Sequence, residues 1–307
     1  MQAHIESYTP PLTAGTARAR RQAISKGLDL SPIQRWLTAV AYYLASLFTL
    51  LTGLRQPLKM MILLTLRRQR LTEVQLRQAG WRFRVRTALD LWIIKETCLD
   101  AGYLWPGVRL APHWRVVDIG AGLGDFTVLA AAHCSQGVVH AYEPLAESFA
   151  LLEHNLTLNR ITNVLALPLA VASRRGQLAV ESAGVAAVST RFVKKDASGD
   201  TVTAVGLSEV VEALPDRECD FLKMDCEGGE FDILFNSPPE TLARIARISL
   251  EYHDGFTSHT GDEIARYLTQ RGFHVKQRRS PVHSYLGFLY AERLARAGQV
   301  ASSRRGI

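Results

Sequence analysis

Cysteine is scarce in this chain and badly spaced for its usual structural tasks. Cys98, Cys134, Cys219 and Cys226 form no CxxC pair and have no histidine at a zinc-ligand spacing. This argues against a disulfide framework or a zinc module, and the thiols read as reduced, as in a cytosolic protein. The opening residues do not read as a secretory leader, and none is expected, because no apolar core follows promptly on the first basic residues. Arg20-Arg21 lacks the context of a twin-arginine signal. No internal repeat is visible, and no arrangement of acids and histidines demands a metal, so none is expected. What remains is an ordinary soluble α/β composition, 47% hydrophobic and 21% charged over 307 residues. That length suits one large domain, or one domain with an appendage.

Negative charge is nearly absent from the N-terminal segment. Residues 1–72 hold ten Lys and Arg against only Glu6 and Asp29, whereas the rest of the chain is close to neutral. The net charge of +7 therefore belongs to this segment, which suits an anionic neighbour or a solvated tail. Residues 1–26 are polar, without apolar period, and are expected to be mobile. Ser31-Pro32 reads as a helix start, with serine as the cap and proline in the first turn. Apolar residues then recur at helical spacing from Ile33 to Leu54, with no charge between Leu37 and Leu54. Arg35 and Arg55 bracket this run, and a second apolar run spans Met60–Leu66. Three readings of residues 31–70 stand open. They form a helical hairpin packed on the main domain or in a homo-oligomer interface, a monotopic amphipathic membrane anchor, or a single membrane span.

Downstream, strands and helices alternate. Trp81–Arg86 alternates with period two and reads as a strand, followed by a helix over Leu89–Leu99. Strands are expected at Val138–Tyr142, Val164–Val171, Gly176–Glu181, Thr201–Val205, Asp220–Asp225, Ala246–His253, Phe273–Gln277 and Leu286–Ala291. Helices are expected at Ala146–Arg160, Ser208–Leu214, Gly229–Phe235 and Asp262–Arg271, with a loop at Lys194–Asp200. The pattern predicts a mostly parallel sheet with helices on both faces.

The glycine-rich stretch Val116–Asp125 reads as strand, tight turn and helix start. Asp118 ends the strand, Gly120, Gly122 and Gly124 alternate, and Asp125 and Thr127 open the helix. Glu143 ends the next strand, where a carboxylate accepts hydrogen bonds from the ribose hydroxyls of an adenosine. The third glycine comes one residue earlier than in a dinucleotide turn. Asp118 opposes phosphate and suits a cationic ligand, and S-adenosylmethionine is cationic and phosphate-free. A second constellation, Phe221–Glu230, sets an apolar strand before a turn of carboxylates. Asp225, Glu227, Glu251 and His253 all fall at carboxyl ends of strands, where open α/β sheets bind ligands. Glu230 reads as a stabiliser of its own helix N-terminus.

With these residues in view the chain resembles the FkbM-type methyltransferases. The matching pieces are Ile93-Ile94-Lys95-Glu96 with Tyr103, Val117–Thr127, and Ala141–Pro144 with Leu152–Asn155 and Asn159. Leu222–Glu230 and Leu250–His253 complete the resemblance, which covers roughly residues 80–290. It implies a class I methyltransferase (Rossmann-like) fold, S-adenosylmethionine as cofactor, and O-methylation of a hydroxyl on a sugar, glycan, lipid-linked or natural-product acceptor. It also places Glu96 with the donor-binding residues. Where the resemblance leads one to expect an aspartate, this chain has Ser208.

His253 has the pKa and strand-end position of a general base, with Asp225 as its rival. Glu227 and Glu251 are candidates to bind substrate hydroxyls. The alternative function is methylation of a macromolecule, protein or nucleic acid, docked through the basic segment. Nucleic acid is the less expected partner, because the turn after Asp220–Asp225 lacks the Pro-Pro-aromatic run of amino-methylating enzymes. The expected organisation is a helical extension over 1–72, a methyltransferase domain over 73–293 and a basic tail over 294–307. The expected location is the cytoplasm, with membrane association through residues 31–70 left open.

Overall fold

Residues 31–57, 71–183, 185–193, 200–226, 228–255, 257–283 and 285–293 are described by the structure, a computed structural model. The leading segment, the Met60–Leu66 run, residues 194–199 and the C-terminal tail lie outside them. The chain divides into two compact units. Among the described residues, one runs to Pro168 and the other begins at Leu169.

The first unit begins with helix α1, Pro32–Gly53. Ser31 caps it as the sequence predicts. Its hydroxyl accepts the Gln34 amide at 3.3 Å, and Gln34 Oε1 accepts the Ser31 amide at 2.8 Å. One face of α1 is buried, at Ser46 and Leu50, and Leu54 follows the helix into the same core. These leucines pack with Val74, Phe83, Val85, Leu91 and Ile94. Each buried leucine contributes roughly 2 kcal/mol of apolar transfer. The sequence-based boundary near residue 72 therefore does not coincide with the compact unit, which takes α1 in.

Strands β1 (Thr72–Gln75) and β2 (Arg82–Val85) form an antiparallel hairpin. The period-two pattern located β2, while β1 was not anticipated. Helix α2 (Ala88–Ile94) runs on into a wide π-turn, Lys95–Leu99. Then β3 (Arg115–Ile119), β4 (Val138–Tyr142) and β5 (Val164–Leu167) pair in parallel, with Ile119 beside Tyr142 and Tyr142 beside Leu167. Helix α3 (Asp125–His133) is buried from Asp125 through Ala131. It is apolar around its circumference, as a core helix must be. Helix α4 (Ala146–Leu158) buries Leu151, Leu152, Asn155 and Leu156.

In the second unit β6 (Ala170–Ala172) pairs in parallel with β9 (Thr201–Gly206). β7 (Gly176–Ala183) pairs antiparallel with both β8 (Val185–Val193) and β9. The single strand expected over Val164–Val171 is thus two. Pro168, which has no amide hydrogen for a ladder, lies between β5 and β6, and the two pair in different sheets. Helix α5 (Leu207–Glu212) follows, and its Ser208 hydroxyl meets Thr241 Oγ1 at 3.0 Å. Ser208 thus has a packing role between α5 and α7 (Pro239–Ala243).

β10 (Phe221–Met224) is buried along its whole length, and α6 (Gly229–Asn236) follows it. β10 pairs in parallel with β11 (Arg247–His253). β13 (Leu286–Glu292) then pairs antiparallel with both β11 and β12 (His274–Arg279). The predicted mostly parallel sheet is therefore mixed, closed by an antiparallel pair after helix α8 (Gly261–Gln270). Strand–helix alternation of this kind, with an antiparallel finish, is a class I methyltransferase architecture carrying an N-terminal helix.

Candidate active site

The glycine turn is built by three different steric requirements. Gly120, Gly122 and Gly124 all have positive φ, at 71°, 55° and 89°. The amides of Gly120 and Ala121 both donate to the Tyr142 carbonyl at 3.0 Å, which pulls the turn onto the end of β4. A Cβ on Gly122 would meet open space, whereas one on Gly124 would press into Leu152 at 2.6 Å. Gly124 then begins α3 in the left-handed region, a conformation that side chains other than glycine adopt at a cost.

Three of the predicted donor-binding acids sit on this turn or behind it. Asp118 is fully buried, and its Oδ2 accepts the Thr127 hydroxyl at 2.6 Å. The strand end and the first turn of α3 are thereby fastened together. Glu143 is 5% exposed, and its carboxylate accepts two backbone amides. One comes from Gly122 at 2.8 Å and the other from Leu145 at 2.9 Å. Asp125 is buried at the start of α3, and its carbonyl accepts the Cys98 thiol at 3.6 Å. Burial, with the nearby Asp125 charge, holds the Cys98 thiol well above its ordinary pKa.

Glu96 is placed in the same unit but among different partners. Its Oε1 accepts the Tyr42 hydroxyl at 2.8 Å and the Trp92 indole at 2.9 Å. Beside it Lys95 is 1% exposed. Its ammonium donates to Ser46 at 2.7 Å, pairs with Asp100 at 2.7 Å, and lies over the Tyr42 and Trp92 rings. Burial first, then the Glu96 carboxylate, push the Tyr42 phenol up from its ordinary pKa.

Asn155 and Asn159 belonged to the motif but carried no assigned role. Asn155 is fully buried. Its amide donates to the Leu123 carbonyl at 2.8 Å, and its oxygen accepts the Arg84 amide at 2.7 Å. Asn159, one helical turn on, accepts the Arg82 amide at 2.9 Å and donates to the Arg82 carbonyl at 2.7 Å. Two asparagines four apart, Asn155 on α4 and Asn159 at its C-terminal cap, thus stitch β2 to the helix behind the glycine turn. Their spacing was the available signal.

The second unit holds the acid and histidine cluster. Glu251 and His253 stand two apart on β11 and so share one face of the strand. His253 Nε2 lies 3.3 Å from Glu251 Oε1, and the imidazole is stacked at 27° with the Tyr285 ring, centroids 6.4 Å apart. His253 is only 6% exposed. Asp225 follows β10 and is half-buried, while Glu227 lies outside the described residues.

Glu230 is fully buried, and its carboxylate accepts the Cys226 amide at 2.7 Å and the Gly228 amide at 2.9 Å. It therefore closes the turn that precedes its own helix, with Gly228 at φ 100°. Burial pushes the Glu230 carboxyl up, opposed by the His253 charge and reinforced by Asp225. β10 and β11 pair in parallel with Met224 beside Leu250, so Asp225, just past β10, and the Glu251–His253 end of β11 lie at the same edge of the sheet. Cys226 shares this edge, its thiol held well above the ordinary range by burial and by Glu230 and Asp225.

Sequence reading overlooked Asp254, which is 3% exposed. Its Oδ1 accepts the Gly261 amide at 2.8 Å at the start of α8, and Oδ2 lies 3.6 Å from Arg279. Burial raises its pKa, partly offset by the Gly261 amide and by Arg279. Adjacent Tyr252 is gripped between two glycines, since a Cβ on Gly261 or on Gly287 would overlap its ring. Burial moves this phenol up to about 12.

Comparison with known proteins adds an independent line. The family model for the methyltransferase FkbM domain matches residues 118–275, from the buried Asp118 to β12. Part of the chain is similar to the AMB antimetabolite synthetase AmbE of Pseudomonas aeruginosa, with 25% identity over 228 residues. That match spans 61% of this chain and 11% of the synthetase. A shorter stretch is 36% identical over 70 residues to the 31-O-demethyl-FK506 methyltransferase FkbM of Streptomyces tacrolimicus, 23% of this chain and 27% of that enzyme. The chain thus spans only about a tenth and about a quarter of the curated relatives it matches. Among solved structures, a methyltransferase FkbM from Methylobacillus flagellatus aligns at 14% identity and TM-score 0.45, over 66% of this chain and 54% of that one. The family model covers the glycine turn, Glu143, Asn155, the Asp225–Glu230 turn and the Glu251–His253 pair together, and the chain belongs to the FkbM methyltransferase family.

Proposed function

We propose that this protein moves a methyl group from S-adenosylmethionine to a hydroxyl oxygen of a sugar, glycan, lipid-linked or natural-product acceptor. The observation that carries the reading is the buried pair of His253 with Glu251, 3.3 Å apart at the end of β11. A neutral hydroxyl is a poor nucleophile, and a base that takes its proton as the oxygen–methyl bond forms is what this chemistry needs. Glu251 orients the imidazole and stabilises its protonated form, as a carboxylate does for a catalytic histidine elsewhere. When bound, S-adenosylmethionine supplies an electrophilic methyl on a sulfonium. Methyl transfer would form the oxygen–methyl bond as the methyl–sulfur bond broke, leaving a neutral thioether, and the part of this chain's residues would be for His253 to take the hydroxyl proton, held in orientation by Glu251.

The donor is assigned to the glycine turn. Glu143, an acid at the end of β4 bonded to the Gly122 and Leu145 amides, supports this reading as the acceptor for the ribose hydroxyls. The acids Asp118 and Asp125 favour a cation over a pyrophosphate. Calorimetry with S-adenosylmethionine and with NAD tests this part, and preference for NAD overturns it. The acceptor class is tested by incubating the protein with methyl-labelled S-adenosylmethionine and a cell extract. Label in a small-molecule or glycan fraction that survives mild alkali is the expected ether. Label released by alkali, or found in protein or nucleic acid, overturns O-methylation of a hydroxyl acceptor.

A further inference from the structure

Helix α1 has two faces of opposite character. The inner face is fixed by Tyr42, Ser46 and Leu50, which bond to or pack on the first unit. Two residues along an α-helix is a rotation of about 200°. Leu44 and Phe48, either side of Ser46, therefore point away from that unit, and they are 62% and 68% exposed. Ile33, Leu37 and Leu51 extend the same stripe, all exposed. Isolated exposed leucines are normal on a protein surface, but a continuous apolar stripe five turns long marks a contact.

The surroundings of the stripe select the occupant. The helix carries Arg35 and no acid, Arg55 follows it, and residues 1–72 hold ten basic residues against two acidic ones. An exposed apolar stripe on a helix without acids, in a segment whose sequence is strongly basic, fits an anionic lipid surface. By length and composition the helix also suits a membrane crossing. Its partners exclude that geometry. Tyr42 and Ser46 lie at mid-helix and bond to Glu96 and Lys95, and Lys95 is paired with Asp100. A crossing helix would carry these three charges to the centre of the bilayer, the most costly place for them.

We infer that α1 docks in the plane of an anionic lipid bilayer, with Leu37, Leu44 and Phe48 in the acyl boundary and the Tyr42–Ser46 face kept on the protein. The inference stands independently of the acceptor assigned above.

Co-sedimentation of the full chain with phosphatidylcholine vesicles, with and without phosphatidylglycerol, tests it. The protein pellets with the phosphatidylglycerol vesicles, less so at high salt, and alkaline carbonate releases it. The double variant Leu44→Asp, Phe48→Asp loses at least about tenfold in vesicle affinity while keeping the thermal midpoint of the parent. Should that variant fail to fold, Arg35→Glu with Arg55→Glu decides the matter through a several-fold loss on anionic vesicles only. Absence from both pellets overturns the inference, as does retention after carbonate, which means a span. Sedimentation velocity without lipid showing a dimer that Leu44→Asp, Phe48→Asp dissociates also overturns it, in favour of a second copy.

Discussion

The amide of Gly122 donates to Glu143 Oε2 at 2.8 Å, so the middle glycine of the turn and the acid at the end of the next strand are directly bonded. A charge-assisted bond of this kind is stronger than a neutral one. Replacing Glu143 by Ala removes it, along with the Leu145 bond and the proposed ribose contact. Donor affinity measured by calorimetry falls by about 1.5–3 kcal/mol, roughly ten- to a hundred-fold. Unchanged affinity would remove Glu143 from the donor site.

The turn glycines differ in what they tolerate. At Gly122 only the backbone resists alanine, since a Cβ meets open space, and the cost is about 1 kcal/mol. Gly124 adds a close contact with Leu152 to an equally unfavourable φ. Urea denaturation shows Gly124→Ala to be the more damaging of the two, by about 1–2 kcal/mol.

Asn155 satisfies backbone groups on two other segments from a fully buried position. Asn155→Ala leaves the Leu123 carbonyl and the Arg84 amide without this partner and destabilises by about 2–4 kcal/mol. Its effect on donor binding, measured below the melting range, is smaller than that of Glu143→Ala.

His253→Gln keeps a polar side chain but removes the base. Turnover falls by about 10²–10⁴ while donor affinity is nearly unchanged. Glu251→Gln acts through His253 and loses less, and the acid limb of its rate profile shifts to lower pH, because an imidazole without a carboxylate to stabilise its protonated form stays neutral, and so able to act as base, at lower pH. A fully active His253→Gln would hand the role of base to Asp225.

Asp254 gives a pH signature of stability. Its folded pKa is raised, chiefly by burial, so the folded state holds this proton more tightly than the unfolded chain does. The associated stability is complete below the ordinary aspartate range, about pH 4, and is lost as pH rises through the folded value. Asp254→Asn lacks this titration. The stability of the parent relative to the variant therefore declines as pH rises from about 4, measured by denaturation at successive pH values.

The glycine turn, the Val138–Tyr142 strand and the Ser31 cap were legible because each is written in local residue types. Glycine marks positive φ, valine marks buried strand, and serine before proline marks a helix start. The interior cations and amides were not. Lysine in a sequence reads as solvated, yet Lys95 is enclosed by Ser46, Asp100 and two aromatic rings contributed from well separated positions. Asn155 is a similar case, since its partners lie 32 and 71 residues away. β8 escaped because nothing in its alanine-rich start separates strand from loop. For the candidate site, residue types at strand ends pointed to His253 and Glu251. Only the fold showed that they pair.

The π-turn Lys95–Leu99 holds α1 through Tyr42 and Ser46 on one side and reaches the first residue of α3 through Cys98 on the other. Within the first unit this one five-residue turn touches both the helix that bears the exposed apolar stripe and the helix that follows the glycine turn, so α1 cannot leave its place without breaking the bonds that Tyr42 and Ser46 make to Glu96 and Lys95.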